Sequence, residues 1–275
     1  DSMYEYGMML KKGEGVSQNV NEAISLLTKS AQRGQADSLY QYGMMLLKGD
    51  CVPENKNSAI HYLKKAADKG QIDSMYEYGS MLEKGELVPE NVQEAARYLK
   101  NSANKGQINS MYLYGMMLKK GDKIGKSAKL AVNYLSKAAD KGQLDSMYEY
   151  GMMLEKGESV TMNHKKAATY LKDSADRGQI RSMFQYGLIL KNGNTAVKKD
   201  QQQSLKYIRD SADRGNIEAM KKFSSMLDKG DGCQQNKQEA AAYIKKAADS
   251  GDLNSMCNYG YMLSTGNGVQ ADKKL

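Results

Sequence analysis

The side chains that usually carry catalysis are scarce in this 275-residue chain, and none of them forms a constellation. Histidine occurs twice, at His61 and His164, at no shared position of the sequence pattern, so both read as surface residues. Cys51, Cys233 and Cys257 are far apart, whereas metal ligands need a tight cluster, so they read as free thiols. Gly121-Asp-Lys-Ile-Gly125-Lys126-Ser127 imitates a phosphate loop. That loop requires G-x-x-x-x-G-K-[ST] after a strand; here the first glycine is one residue too close and a helix precedes it. No paired carboxylates, nucleophile or base stand apart from the pattern described below. The expectation is a non-enzymatic segment with no cofactor, no metal and no small-molecule substrate, any catalytic domain lying elsewhere in the full-length protein.

Methionine and tyrosine, at 19 each, are in excess. Their chemistry is recognition: tyrosine offers amphipathic area with few rotors to freeze, and methionine adapts to varied apolar surfaces. They fall in rows. One runs Tyr4, Tyr40, Tyr76, Tyr112, Tyr148 and then Phe184; a second runs Met8, Met44, Ser80, Met116, Met152, Leu188, Ser225 and Tyr261. A third is Tyr6, Tyr42, Tyr78, Tyr114, Tyr150 and Tyr186.

The rows follow from an internal repeat. Gly7, Gly43, Gly79, Gly115, Gly151 and Gly187 lie 36 residues apart, and the series continues at Ser224 and Gly260. The single extra residue falls between Gly193 and Asp200, as a loop insertion. The units are 1–35, 36–71, 72–107, 108–143, 144–179, 180–216, 217–252 and a partial 253–275, read as one array. In the unit 36–71, Leu39, Tyr42, Gly43 and Leu46 mark one face of a helix A over about Asp37–Lys48, stopped by Gly49. Ala59, Tyr62, Leu63, Ala66 and Ala67 mark a helix B over about Lys56–Lys69, closed by Gly70. Before helix B stand Asn19, Asn55, Asn91, Ser127, Asn163, Asp200, Asn236 and Asp272, all suited to cap its first turn. Glu22, Glu94, Gln203 and Glu239 follow three residues later, as in a capping box. No sustained period-two alternation signals a strand. The fold class expected is all-α: an α-solenoid of antiparallel helix pairs in which small residues let the helices approach closely.

Gly43, Gly49, Val52, Asn55, Ala59, Tyr62, Leu63, Lys65, Ala66, Ala67 and Gly70 give the unit its resemblance to the Sel1-like repeat. The tetratricopeptide repeat is a rival, but its unit is 34 residues with a proline after helix B, whereas Pro53 and Pro89 lie between helices A and B. The resemblance implies a right-handed α-α superhelix whose helices A line the concave side. It departs from the family pattern at Ser38, Ser74 and Ser110, where alanine is usual, and most of all around Lys221, Lys222, Phe223 and Ser224. The cysteine pair that secreted bacterial members carry in each repeat is missing. Because the chain opens at Asp1, the second position of a unit, and closes at Leu275 inside a helix B, it is expected to be an excerpt of a longer array.

On a helical wheel, Asp37, Tyr40, Met44, Leu47 and Lys48 share the arc opposite helix B. The expected site is therefore a groove binding a peptide or protein through Tyr4, Tyr40, Met44, Tyr76, Tyr112, Met116, Tyr148, Met152 and Phe184. Acids (Asp1, Asp37, Asp73, Asp145, Glu218) edge it on one side and lysines (Lys12, Lys48, Lys84, Lys120, Lys156) on the other. The third row, Tyr42 and its equivalents, is expected in the core. The net charge of +8 comes mostly from lysines on helix B, interspersed with acids, which fits a solvated face better than a nucleic-acid stripe. No apolar run is long enough to span a membrane. Sparse thiols and the absence of any N-x-S/T sequon favour the cytoplasm. The function expected is a protein-interaction scaffold or adaptor. Two alternatives of other kinds follow from the resemblance: the partner-recruiting region of a larger signalling enzyme such as a protein kinase, and an adaptor in endoplasmic-reticulum degradation.

Overall fold

The computed structural model describes residues 2–121 and 123–271, so Asp1, Asp122 and Asp272 lie outside the described residues. Its helices are α1 (Ser2–Lys12), α2 (Val20–Gln32), α3 (Ala36–Lys48), α4 (Lys56–Asp68), α5 (Ile72–Lys84), α6 (Val92–Asn104), α7 (Ile108–Lys120), α8 (Ala128–Asp140), α9 (Leu144–Lys156), α10 (His164–Asp176), α11 (Ile180–Asn192), α12 (Gln201–Asp213), α13 (Ile217–Lys229), α14 (Lys237–Asp249) and α15 (Leu253–Thr265). Odd-numbered helices are the A helices and even-numbered ones the B helices. No strand occurs among the described residues. The chain forms two compact units, residues 1–141 and 142–275, and within each the helices pack in sequence order.

The pairs from α1–α2 to α11–α12 are held at a glycine. A β-carbon added at Gly43 would lie 3.0 Å from Leu63 Cγ, one at Gly79 3.0 Å from Leu99 Cγ, and one at Gly115 2.9 Å from Leu135 Cγ. Leu63, Leu99 and Leu135 are wholly buried as a result. Beside each contact, a tyrosine of helix A meets one of helix B edge to face: Tyr42–Tyr62, Tyr78–Tyr98 and Tyr114–Tyr134 have centroids 4.9, 5.4 and 5.0 Å apart. Such a pair adds about 0.5–1.5 kcal/mol beyond the area it buries. Tyr78, Tyr114, Tyr150 and Tyr186 are buried, as their row predicts. Tyr42 and Tyr6 depart from it: Tyr42 is half-buried, and Tyr6, on α1, is 43% exposed.

The caps explain the helix boundaries. Asn19, Asn55, Asn91, Asn163, Asp200 and Asn236 each accept a hydrogen bond from the backbone N–H three residues on. The boxes close side chain to side chain, Asn19 Nδ2 donating to Glu22 Oε2 at 3.0 Å and Asn236 Nδ2 to Glu239 Oε2 at 3.0 Å. Ser127 corrects the expected series, because it makes no side-chain cap. Its backbone angles match those of the other caps, and nothing in the structure explains why its hydroxyl does not reach the first turn. Helix A carries caps of its own that propensity does not single out: Gln35, Gln71, Gln107, Gln143 and Gln179 accept from the serine N–H three residues on.

Successive repeats are stitched by polar contacts. Ser38 Oγ donates to Ser30 Oγ at 2.7 Å, Ser110 to Ser102 at 2.9 Å, and Ser174 to Ser182 at 2.6 Å, all buried. Ser74 has no such neighbour, since Ala66 stands where Ser30 and Ser102 stand, and its buried hydroxyl makes no hydrogen bond. On the helix-B side Tyr98 donates to Asp68, and Tyr134 to Asn104 Oδ1 at 2.7 Å. Lys105 Nζ and Arg177 Nη2 reach back to the carbonyls of Gly70 and Gly142, at 2.9 and 2.8 Å.

Gly79→Val should lower stability by roughly 1–3 kcal/mol, because the branched side chain must displace Leu99 in a full core; thermal unfolding reads it directly. Ser74→Ala should go the other way, raising stability by about 1 kcal/mol as an unsatisfied buried hydroxyl is removed. The same change at Ser110, which is hydrogen-bonded, should lower it; denaturant titration of the two variants ranks them.

Candidate functional site

The two units present the arc of helix A turned from helix B differently. In residues 1–141, Tyr4, Tyr40, Tyr76 and Tyr112 are half-buried, as are Met44 and Met116. Their inner halves are packing: Tyr40 lies against the cluster of Ala31, Leu39 and Ala66, and Tyr76 against that of Met75 and Tyr78. Their outer edges remain in solvent. Burial drives the Tyr40 hydroxyl up to about 12, with the carboxylates of Asp73 and Glu77 adding to it. Burial raises Tyr76 as well, followed by Glu77. Glu77 is itself raised by burial, which outweighs the pull of Lys48 and Lys84. The phenols therefore stay neutral donors through the whole physiological range.

The acidic edge is tied down. Asp37 accepts from the Gln35 side chain at 3.2 Å and from that of Gln71 at 3.5 Å, so one carboxylate bridges two helix-A caps. Asp145 is held in the same way, by Gln143 at 3.5 Å and Gln179 at 3.1 Å. Lys12, Lys48, Lys84, Lys120 and Lys156 are exposed along the other edge. Asp37 and Asp145 are thus pinned, whereas the lysines opposite them are open to solvent.

In residues 142–275 the row is interrupted. Tyr148 is only 8% exposed, which corrects its placement as an open groove residue. The Arg181 guanidinium lies 4.0 Å over its ring and pairs with Glu149 Oε1 at 3.1 Å. Arg181 occupies the position that is Asp in units beginning at 36, 72 and 144; that change of charge is the sequence signal for the plug. Met152 packs beside Tyr148, while Phe184 and Leu188 pack on the cluster around Phe223 and are half-buried. Lys221 and Ser225 then stand where the units from 1 to 216 have an aromatic ring and, except at Ser80, a methionine or leucine. Tyr261, farther along the second row, is 67% exposed.

The remaining candidates fall into place singly. His61 is exposed, as expected. His164 is not: it is half-buried with Nδ1 3.0 Å from Glu155 Oε2, because it opens α10 beneath the end of α9. Cys51 and Cys257 are exposed free thiols and Cys233 is half-buried. Among the described residues no group of three or more His, Cys, Asp or Glu is disposed to hold a metal, and no helix is long and apolar enough to cross a membrane. Lys64, Lys65, Lys69, Lys100, Lys137, Lys172, Lys245 and Lys246 on and just after the B helices are all exposed.

Sel1 repeats match residues 1–35, 36–71, 72–107, 108–143, 144–179, 180–216, 217–252 and 253–275. The chain belongs to the Sel1 repeat family. Its helix-pair fold is that of solved Sel1 repeat proteins. One is c5321, a protective antigen present in uropathogenic Escherichia coli strains that displays an SLR fold, with 22% identity and a TM-score of 0.79 over 99% of this chain and 66% of that one. Another is a Sel1 repeat protein from Oxalobacter formigenes, with 23% identity and a TM-score of 0.75 over 99% of this chain and 79% of that one. The present chain thus spans just under two thirds of the length of c5321. No curated protein matches it. As a Sel1 repeat protein it is of a kind that generally serves protein interaction.

Arg181→Ala should lower stability by roughly 1–3 kcal/mol, since it strips the cation from a carboxylate that is 5% exposed and uncovers the Tyr148 ring. Arg181→Lys should recover only part, because an ammonium cannot pair and stack flat at once; melting curves of both variants test the plug.

Proposed function

We propose that this Sel1 repeat protein is a non-enzymatic scaffold that grips a peptide or protein partner on the helix-A face. The observation that carries the reading is the half-buried aromatic and methionine row of residues 1–141: Tyr4, Tyr40, Met44, Tyr76, Tyr112 and Met116 each keep an edge in solvent while their inner halves are fixed by packing. Side chains held in place before binding lose little entropy when a partner covers them. The bordering charges support the same face, because the glutamine-pinned Asp37 is set against the exposed Lys48. The helix-B side offers lysines and acids without an apolar row.

Selection of displayed peptides on the whole chain tests this. Selected peptides should lose most of their affinity for the Tyr40→Ala/Met44→Ala/Tyr76→Ala variant, at about 2 kcal/mol for each buried anchor, and keep it for Lys64→Ala/Lys100→Ala on helix B. Equal loss in both variants, or none in the first, would refute the assignment of the face. Stability separates the rows without any partner. Tyr40→Ala should cost roughly 1–2 kcal/mol, in line with half-burial. Tyr78→Ala, two residues beyond the groove position of its own unit and 5% exposed, should cost about 3–5 kcal/mol.

A further inference from the structure

The ladder that runs along helix A loses both of its side chains at one rung. In the unit 217–252 the aromatic position is Lys221 and the methionine position is Ser225, whereas Ser80 of the unit 72–107 keeps Tyr76 on the same helix. A cavity of 280 Å³, lined by Lys221, Ser225 and Asp228, opens there between α13 and α15, with Ile244 of α14 in its lining. Tyr261 and Met262 of α15 form its far wall, with the Asn258 and Asn267 side chains at its mouth. That volume is below the ~300–1,000 Å³ of sites that enclose a whole small molecule, and suits a single side chain.

The repeat itself indicates which one. The stem of Lys221 still covers part of the space that a tyrosine or phenylalanine fills in the other units. Ser225 covers none of the space that Met44, Met116 and Met152 fill, so the vacancy is methionine-shaped. Its wall suits a thioether, since the exposed Tyr261 ring offers the sulfur–aromatic contact that methionine favours. The charge is also set. The Lys221 ammonium is met by Glu218 Oε1 at 2.6 Å and Asp252 Oδ1 at 3.6 Å, which leaves Asp228 as the carboxylate facing a newcomer. The amides of Asn258 and Asn267 can both donate to and accept from a peptide backbone.

We infer that this cavity is an anchor pocket that receives, from a peptide partner, a methionine side chain flanked by a basic residue. The inference rests on the helix-A face being the binding face, and adds to it the pocket and the residue class it takes.

Fluorescence anisotropy on the 275-residue chain, with labelled peptides centred on Lys-Met-Lys, Lys-Ala-Lys or Glu-Met-Glu, tests it. Lys-Met-Lys should bind tightest, and each of the other two at least about tenfold more weakly, a difference of about 1.4 kcal/mol. Ser225→Met should rebuild the rung from within, raising the melting temperature while abolishing Lys-Met-Lys binding. Asp228→Asn, at a side chain outside the core, should erase the preference for lysine over glutamate flanks. A lowered melting temperature in Ser225→Met, unchanged Lys-Met-Lys affinity in that variant, or an unchanged flank preference in Asp228→Asn would overturn the pocket. Peptides selected on the whole chain separate this failure from that of the wider reading. If they bind Ser225→Met normally but lose affinity for the Tyr40→Ala/Met44→Ala/Tyr76→Ala variant, the helix-A face stands and the anchor pocket falls. If they are indifferent to that triple variant, the face itself falls.

Discussion

Everything in this molecule depends on how close helix A comes to helix B, and that distance is set by the absence of one carbon atom. At Gly43, Gly79, Gly115 and Gly151 an added β-carbon would stand 2.9–3.0 Å from a leucine Cγ of the facing helix. With the backbones this near, the leucine is sealed, the flanking tyrosines meet edge to face, and the loop between the helices can be a short turn. The unit 217–252 shows what happens when the atom is present. Ser224 replaces the glycine, and its hydroxyl donates to the Ala240 carbonyl at 2.8 Å, so the extra bulk is accepted only by giving it a hydrogen bond. Phe223 beside it is 2% exposed and takes over the aromatic contact with Tyr243 at 4.9 Å.

That contact stabilises one pair; a second set of interactions joins pairs into a stack, and it is polar. Buried serine pairs eight residues apart join a helix B to the next helix A, while tyrosines donating to acids or amides of the preceding helix B and cations on glycine carbonyls reach about one repeat back along the chain. Directional bonds are useful here because an apolar seam between near-identical helices would tolerate sliding, whereas a misplaced buried hydroxyl leaves its donor unmet. The serine pairs skip Ser74, where Ala66 faces the hydroxyl, so Ser30–Ser38 and Ser102–Ser110 recur with a spacing of two repeats rather than one. The structure offers no compensating partner for Ser74.

The helix pairs were legible in the sequence because their signals are local and repeated: glycine spacing, cap residues and apolar faces recur so often that a single unit misread would be outvoted. Helix ends fell within a residue of expectation at Lys48 and Lys56 for that reason. What stayed hidden lies in contacts between units. The glutamine caps were missed because glutamine is a poor cap on its own; it serves here because the amide also reaches Asp37 or Asp145 on a neighbouring helix A. Tyr148 was read as open because its row position matches Tyr40 and Tyr76, and the wheel cannot see Arg181 reaching over it from the next unit. Cys51, Leu87, Lys123 and Ser159 take positive φ in consecutive A–B turns, at 61–66°, where Gly15 and Gly232 serve the same turn without strain. Nothing in the wheel distinguishes those units from the others.

In such a chain the period encodes the scaffold, and departures from it are where a particular function can be written. A column that scarcely varies, like the glycine at the pair contact that gives way only at Ser224, is answered by the fold. A column that changes sign or size from unit to unit, as aspartate gives way to Arg181 or methionine to Ser225, alters the surface without disturbing the pairs on either side, because each contacts mainly its neighbours. Arg181 closes the helix-A face over Tyr148. Lys221 and Ser225 open it beside Tyr261. The two changes lie in adjacent units of one compact body and act in opposite senses, so the face there is graded from sealed to hollow. A uniform ladder would offer a partner many equivalent registers. A sealed rung and a hollow one, separated by the rung of Phe184, remove that degeneracy, since a ligand with one protruding side chain then has a single place to put it.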